Sequence, residues 1–293
     1  MVAKPLIVIV GETGSGKSEL AINLAKNFDG EIVNADSLNF RKGMNIGTAK
    51  PSAADRQLIT HHLIDIITPD AHFNAADFQQ AAKQIIDDIH ERHKLPVLVG
   101  GSGLYVDSLI YNYSFLDASS DNYRQQLNKK PLEDLIEMAQ TKNISLNDED
   151  LTNKRRIIRR IETLGRLPSK QTLRPNTLIL GLRIDRALLR QRLLRRLDLM
   201  IDQGLEAEVL GLSKRYGWPT EALRAIGYRE WQDYFNNQIT INEVKRQILK
   251  DSLALAKKQR TWFNRNKDIN WLTTPVKWNQ VVEIVTTYMN NQV

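Results

Sequence analysis

Leu6-Ile7-Val8-Ile9-Val10-Gly11-Glu12-Thr13-Gly14-Ser15-Gly16-Lys17-Ser18 decides the fold. An apolar run leads directly into G-x-x-x-x-G-K-[S/T], the pattern of a phosphate-binding loop set between a strand and a helix. Each position has a mechanical role. Gly11, Gly14 and Gly16 allow torsions that turn successive N–H groups toward one anion. Lys17 adds a fixed positive charge, and Ser18 can hold a magnesium ion with its hydroxyl. The helix predicted over 17–27 points the positive end of its dipole at the same place. The whole loop, Gly11, Glu12, Thr13, Gly14, Ser15, Gly16, Lys17 and Ser18, is therefore expected to bind a diphosphate. Whether that diphosphate belongs to ATP is a question the loop leaves open.

Outward from the loop, strand and helix signals alternate as in βαβ units. A strand is predicted over 31–35, ending in Asp36-Ser37. A helix over 75–92 precedes a strand over 96–99, which runs into Gly100-Gly101-Ser102-Gly103 and a helix from 104. Short strands with crossover helices predict an α/β fold, a P-loop NTPase-like parallel sheet core, with ligands at the carboxyl ends of the strands. Loops 11–18, 36–39 and 100–103 then open on one face. From about residue 115 the chain turns polar and acidic, then basic in a helix over 153–164, and strand character returns over 177–184. Residues 116–175 therefore read as a helical insertion in a core formed by 1–115 and 176–293, with further helical spacing over 188–200, 206–212 and 244–263.

The chain has 293 residues, enough for one full core and a smaller appended domain. It has no cysteine, so neither a disulfide framework nor a cysteine-ligated zinc is possible. No apolar stretch approaches the ~20 residues that cross a bilayer, and the first residues lack the apolar core of a secretory signal. A cytoplasmic monomer is expected. The net charge of +7 is unevenly spread: residues 151–200 hold 14 Lys/Arg against 3 Asp/Glu, a surplus of 11. The remainder is net acidic. An Arg-rich block suits forked phosphate contacts and points to a nucleic-acid partner.

A loop of this kind most often serves an NTPase or a small-molecule kinase. Three features pull the other way. The strand over 96–99 ends in Gly100-Gly101 instead of the magnesium-ordering carboxylate usual in that class. Asp36 is followed by Ser37-Leu38-Asn39, side chains able to touch a substrate. Phosphoryl transfer also needs no block of 14 basic residues, although a kinase lid can be Arg-rich.

The ordered motifs resemble one family, the tRNA dimethylallyltransferases (isopentenyl-tRNA transferases). The resemblance rests on the phosphate loop, Asp36-Ser37, Gly43-Met-Asn-Ile-Gly-Thr-Ala-Lys-Pro51 and His61-His-Leu-Ile-Asp65. It continues through Gly100-Gly-Ser-Gly-Leu-Tyr105, Arg156-x-x-Arg159 ahead of Glu162, and Gly204-Leu-x-x-Glu-Val209. Ala225-Ile-Gly-Tyr-Arg-Glu230 and Ala256-Lys-Lys-Gln-Arg-Thr-Trp262 close it. It implies transfer of a dimethylallyl group from dimethylallyl diphosphate to the exocyclic N6 amine of the tRNA adenosine next to the anticodon, with pyrophosphate released and Mg2+ required. In that reading Asp36 is the general base, and Lys17, Thr13 and Arg224 act on the diphosphate. Asp36, Ser37, Leu38, Asn39, Ser102, Arg155, Arg156, Ile157, Ile158 and Arg159 match tRNA-contacting positions, and Ser18 matches the metal ligand. The alternatives are a P-loop kinase or NTPase, and an adenylate isopentenyltransferase.

The chain departs from the family at Leu38-Asn39-Phe40-Arg41-Lys42, at Ser102 where Thr is usual, and at Glu12, which sets a negative charge beside a phosphate site. His61-His62 reads as structural because no third ligand is near. Trp262-Phe263 reads as core packing.

Overall fold

A computed structural model of the chain describes residues 4–116 and 121–291. Residues 117–120 of the expected insertion, and the ends of the expected core at 1–3 and 292–293, lie outside it. Six strands form one parallel sheet: β1 (Leu6–Gly11), β2 (Gly30–Asn34), β3 (His61–His62), β4 (Leu95–Gly100), β5 (Thr177–Arg183) and β6 (Ile269–Thr273). Their order is β3-β2-β4-β1-β5-β6. All six residues of β1 are buried, with Ile7 paired to Val97 on one side and to Leu178 on the other. A central parallel strand has no solvent face, which is why its sequence is a continuous apolar run.

The helices of the sheet unit begin with α1 (Lys17–Asn27), α2 (Ala53–Leu58), α3 (Ala75–Glu91) and α4 (Gly103–Ile110). The chain next forms α5 (Asp121–Lys129), α6 (Leu132–Thr141), α7 (Asp148–Leu151) and α8 (Lys154–Glu162). It returns with α9 (Arg186–Asp202), α10 (Leu205–Tyr216), α11 (Trp231–Phe235), α12 (Ile241–Phe263) and α13 (Trp278–Asn290). After β1 the chain moves to one side of the sheet, and after β4 it crosses to the other to form β5 and β6. That reversal opens a crevice beyond the carboxyl end of β1, where α/β sheets bind ligands. The apolar group Ile7, Ile9, Leu24, Val97, Leu180, Val281 and Val285 packs the first helix and the last against the sheet. Phe40 is core too, 1% exposed and 5.0 Å from Phe73 between ring centres.

Two elements carried little signal. β3 is a two-residue edge strand paired to Ile32 and Val33, so the adjacent histidines serve as sheet, His62 facing Glu31 at 2.6 Å. β6, at the opposite edge, buries only Ile269 and Leu272 of its five residues.

The chain divides into two compact units, residues 1–110 with 173–293, and residues 111–172. Within the second, α5 to α8 enclose Leu127, Leu135, Ala139, Ile157, Ile158 and Ile161. This corrects two expected tRNA contacts. Ile157 and Ile158 are 0% and 1% exposed, because the 3.6-residue period turns them inward with Ile161 while Arg155 and Arg156 just before them turn out. The arginines of α8 are also engaged locally. Arg156 and Arg160 meet Asp150, each at 3.0 Å, Arg159 and Arg124 meet the buried Glu162, and Arg159 donates to the Leu116 carbonyl. The basic block is divided between the two units. Residues 116–175 carry 12 Lys/Arg against 9 Asp/Glu, and Arg186, Arg190, Arg192, Arg195 and Arg196 belong to α9 of the sheet unit.

Candidate functional site

The phosphate loop leaves β1 at Gly11 (φ 144) and winds through Gly14 (φ 82) and Gly16 (φ 99) into α1. Positive φ at three points in six residues is affordable only for glycine. The loop is gripped from both flanks. From α12, Gln259 accepts from the Thr13 N–H at 2.8 Å and donates to the Gly101 carbonyl at 3.0 Å. The next residue, Arg260, forks onto the Glu12 carboxylate at 2.6 and 2.9 Å. From α9, Arg192 donates to the carbonyls of Gly14 and Ser15, and Arg196 lies 3.4 Å from the Thr13 hydroxyl. Lys17 Nζ donates to the Glu12 carbonyl at 2.6 Å.

These contacts sort the eight loop residues. Thr13, Gly14, Gly16, Lys17 and Ser18 line a cavity of about 310 Å³ above the loop. Gly11, Glu12 and Ser15 are not among its lining residues. The Glu12 charge, which would repel a phosphate, is buried and spent on Arg260. The Thr13 and Ser15 N–H groups are already bonded, to Gln259 and to the Glu12 carbonyl. The N–H groups at the start of α1 are the ones a helix leaves over for an anion.

Asp36 follows β2. Its Oδ1 accepts from the Leu38 N–H at 3.1 Å, and the turn is buttressed by Asn34, which holds the Asp36 N–H and carbonyl. Asp36 therefore caps its own turn with one oxygen, while Oδ2 accepts no hydrogen bond among the described residues. Asn39 is 8% exposed, donates to Asn34, and leaves its own Oδ1 without a partner at the rim of the smaller cavity. Ser37 and Leu38 turn the other way, into a second cavity of about 520 Å³ that Ser102, Arg224 and Trp262 also line. Trp262 is thus not core: it is 37% exposed, whereas Phe263 is 1%. Arg224 lines only this larger cavity.

Thr13, Asp36, Thr48, Ala49, Gly101, Arg196 and Gln259 line both cavities. The two spaces therefore adjoin at Asp36, with Lys17 on one side and Arg224 on the other. Burial dominates the charges at this waist. It raises the Asp36 carboxyl above its ordinary range, against the pull of the Leu38 N–H, Lys17 and Arg196. It lowers the Lys17 ammonium to about 8, with Asp36 opposing and Arg196 assisting. Arg196, missed in the sequence because it is one arginine among many, joins the two at a point that only the docking of α9 creates.

The scattered motif blocks meet as supports. Glu208 accepts the N–H groups of Asn45, Ile46 and Gly47 and the Tyr228 hydroxyl at 2.7 Å, joining three blocks at one carboxylate. Lys50 bonds Asp65 at 2.7 Å and the Arg41 carbonyl.

A family model described as IPP transferase matches residues 40–266. A tRNA dimethylallyltransferase 2 of Geotalea uraniireducens is 40% identical, the match covering 95% of this chain and 96% of that protein. A tRNA dimethylallyltransferase of Pediococcus pentosaceus is 39% identical, covering 91% and 90%. The crystal structure of a full-length tRNA isopentenylpyrophosphate transferase from Bacillus halodurans superposes with a TM-score of 0.76 at 32% identity, covering 99% and 97%.

Proposed function

The chain belongs to the IPP transferase family, and from that premise we infer a tRNA dimethylallyltransferase. It transfers the dimethylallyl group of dimethylallyl diphosphate to the exocyclic N6 amine of the tRNA adenosine beside the anticodon and releases pyrophosphate. The observation that carries this reading is the shared waist of the two cavities. A diphosphate seated over Lys17 and a base entering past Ser102 and Trp262 would meet at Asp36.

An allylic diphosphate breaks its C–O bond readily once charge on the leaving pyrophosphate is neutralised. Lys17, Arg196, the Thr13 hydroxyl and the free N–H groups at the start of α1 supply that neutralisation. Ser18 lines the same cavity and its hydroxyl is engaged by no other described group, so this residue would hold a magnesium ion, whose charge would further neutralise the leaving group. Among the described residues no cluster of three His, Cys, Asp or Glu offers a protein cage instead. Asp36 Oδ2 accepts the proton that the amine loses as the new C–N bond forms. Arg224 acts on the diphosphate from the larger cavity, and Ser37, Leu38, Ser102 and Arg155 contact the RNA.

The test mixes protein, Mg2+, labelled dimethylallyl diphosphate and unmodified tRNA, with free adenine nucleotide and ATP hydrolysis followed in parallel. Label in tRNA without ATP turnover is expected. Label confined to the free nucleotide, or ATP turnover without prenyl transfer, overturns the reading.

A further inference from the structure

Leu255, Lys258, Gln259 and Trp262 of α12 all line the larger cavity, and their spacing of three, four and seven puts them on one helical stripe. Gln259 and Asp36 also line the smaller cavity, but Trp262 does not. The indole therefore stands on the approach side, away from the phosphate loop. Its mount is rigid. Nε1 donates to Asp107 Oδ2 at 2.9 Å, and the pyrrole ring lies so close to Gly103 that a Cβ there would come within 2.3 Å. Leu104 and Leu255, 43% and 37% exposed, are also among the chain's exposed large hydrophobics. An indole held in this way, with its only donor already used, offers the solvent one thing, a π face.

We propose that Trp262 is a stacking platform for the nucleobase flanking the acceptor adenosine, an inference that rests on RNA being the acceptor. Flipping the target base out of its stack leaves the neighbouring base with an uncovered face. Proteins hold splayed RNA bases on aromatic rings and their phosphates on nearby cations, and Lys258 supplies such a cation on the same stripe. Trp262 covers the face that flipping exposes, and so offsets the cost of opening the loop.

The experiment titrates unmodified tRNA against the full chain without prenyl donor, for wild type, Trp262→Phe, Trp262→Leu and Trp262→Ala. Thermal melts and binding of dimethylallyl diphosphate serve as folding controls. Phe is expected to bind within about threefold of wild type, and Leu and Ala about tenfold or more weaker, as loss of one base–aromatic stack predicts. Leu binding as well as Phe reduces the contact to apolar burial and overturns the proposal, as does Ala binding as tightly as wild type. Should Ala fail to fold, the comparison of Phe with Leu still decides. Prenylation of tRNA by wild type is assayed alongside. Transfer by wild type with unchanged binding in the variants sinks only the Trp262 inference, whereas a wild-type chain that neither binds nor prenylates tRNA sinks the functional reading and this inference together.

Discussion

Burial moves the two charged groups of the proposed reaction in opposite directions, raising the Asp36 carboxyl and lowering the Lys17 ammonium to about 8. Transfer needs Asp36 ionised and Lys17 protonated, so kcat/KM should fall on both sides of a maximum. On the acid side Asp36 takes up its proton above the ordinary value of 3.8. On the basic side Lys17 loses its proton as pH rises through about 8, weakening capture of the diphosphate by the free enzyme. A profile of kcat/KM for dimethylallyl diphosphate that is flat from about pH 7 to 9 would remove Lys17 from this role. Asp36→Asn keeps an acceptor for the Leu38 N–H but has no site for a proton. We expect kcat to drop about 10²- to 10⁴-fold with tRNA affinity preserved; the converse pattern in parallel kinetic and binding measurements would make Asp36 a binding residue.

Helices and strands carry their own consequences. Glu31 on β2 is 2% exposed and meets His62 of β3, Arg92 and Lys94. Burial alone would raise its carboxyl, but the hydrogen bonds and charges of Arg92 and His62 outweigh it and bring the group down to about 2. A folded-state value below the unfolded 4.5 stabilises the protein above that pH, and the contribution disappears as pH falls toward 2. The shift corresponds to at most about 3 kcal/mol, less because Arg92 is partly solvated. Glu31→Gln should therefore lower stability at pH 7 and become nearly neutral near pH 2, checked by denaturant melts at both. In α8, Ile158→Ala should cost about 2–5 kcal/mol and raise amide exchange across the second unit. An unchanged exchange pattern would return Ile158 to the surface.

Taken whole, the molecule divides its basic block between two units, and α9 commits Arg192 and Arg196 to the phosphate loop. RNA affinity should still be strongly electrostatic. Between about 50 and 200 mM salt, log Kd for tRNA should rise linearly with log salt, each phosphate contact adding ~0.7 to 0.9 to the slope. A salt-independent Kd would exclude phosphate contacts as the main source of affinity.

Residues 6–18 were legible because everything they needed was local: a buried strand is apolar throughout, and the loop's torsions demand glycine. The same holds for α1, predicted and found over the same residues, and for Asp36 at the end of β2. β6 was not legible, since an edge strand that buries only two of its five residues carries little apolar signal. The two cavities and their waist lay further out of reach. Gln259 meets Thr13 across 246 positions of sequence and Arg260 meets Glu12 across 248, so nothing near either residue announces the partner. Glu12 shows the division most clearly. Its own chain neighbourhood predicts a carboxylate repelling a phosphate, and only the packing of α12 against the loop turns that charge aside. Local sterics and periodicity wrote the phosphate loop and its sheet into the sequence; the site around it exists because distant helices, held by their apolar faces, bring charges together that no short stretch contains.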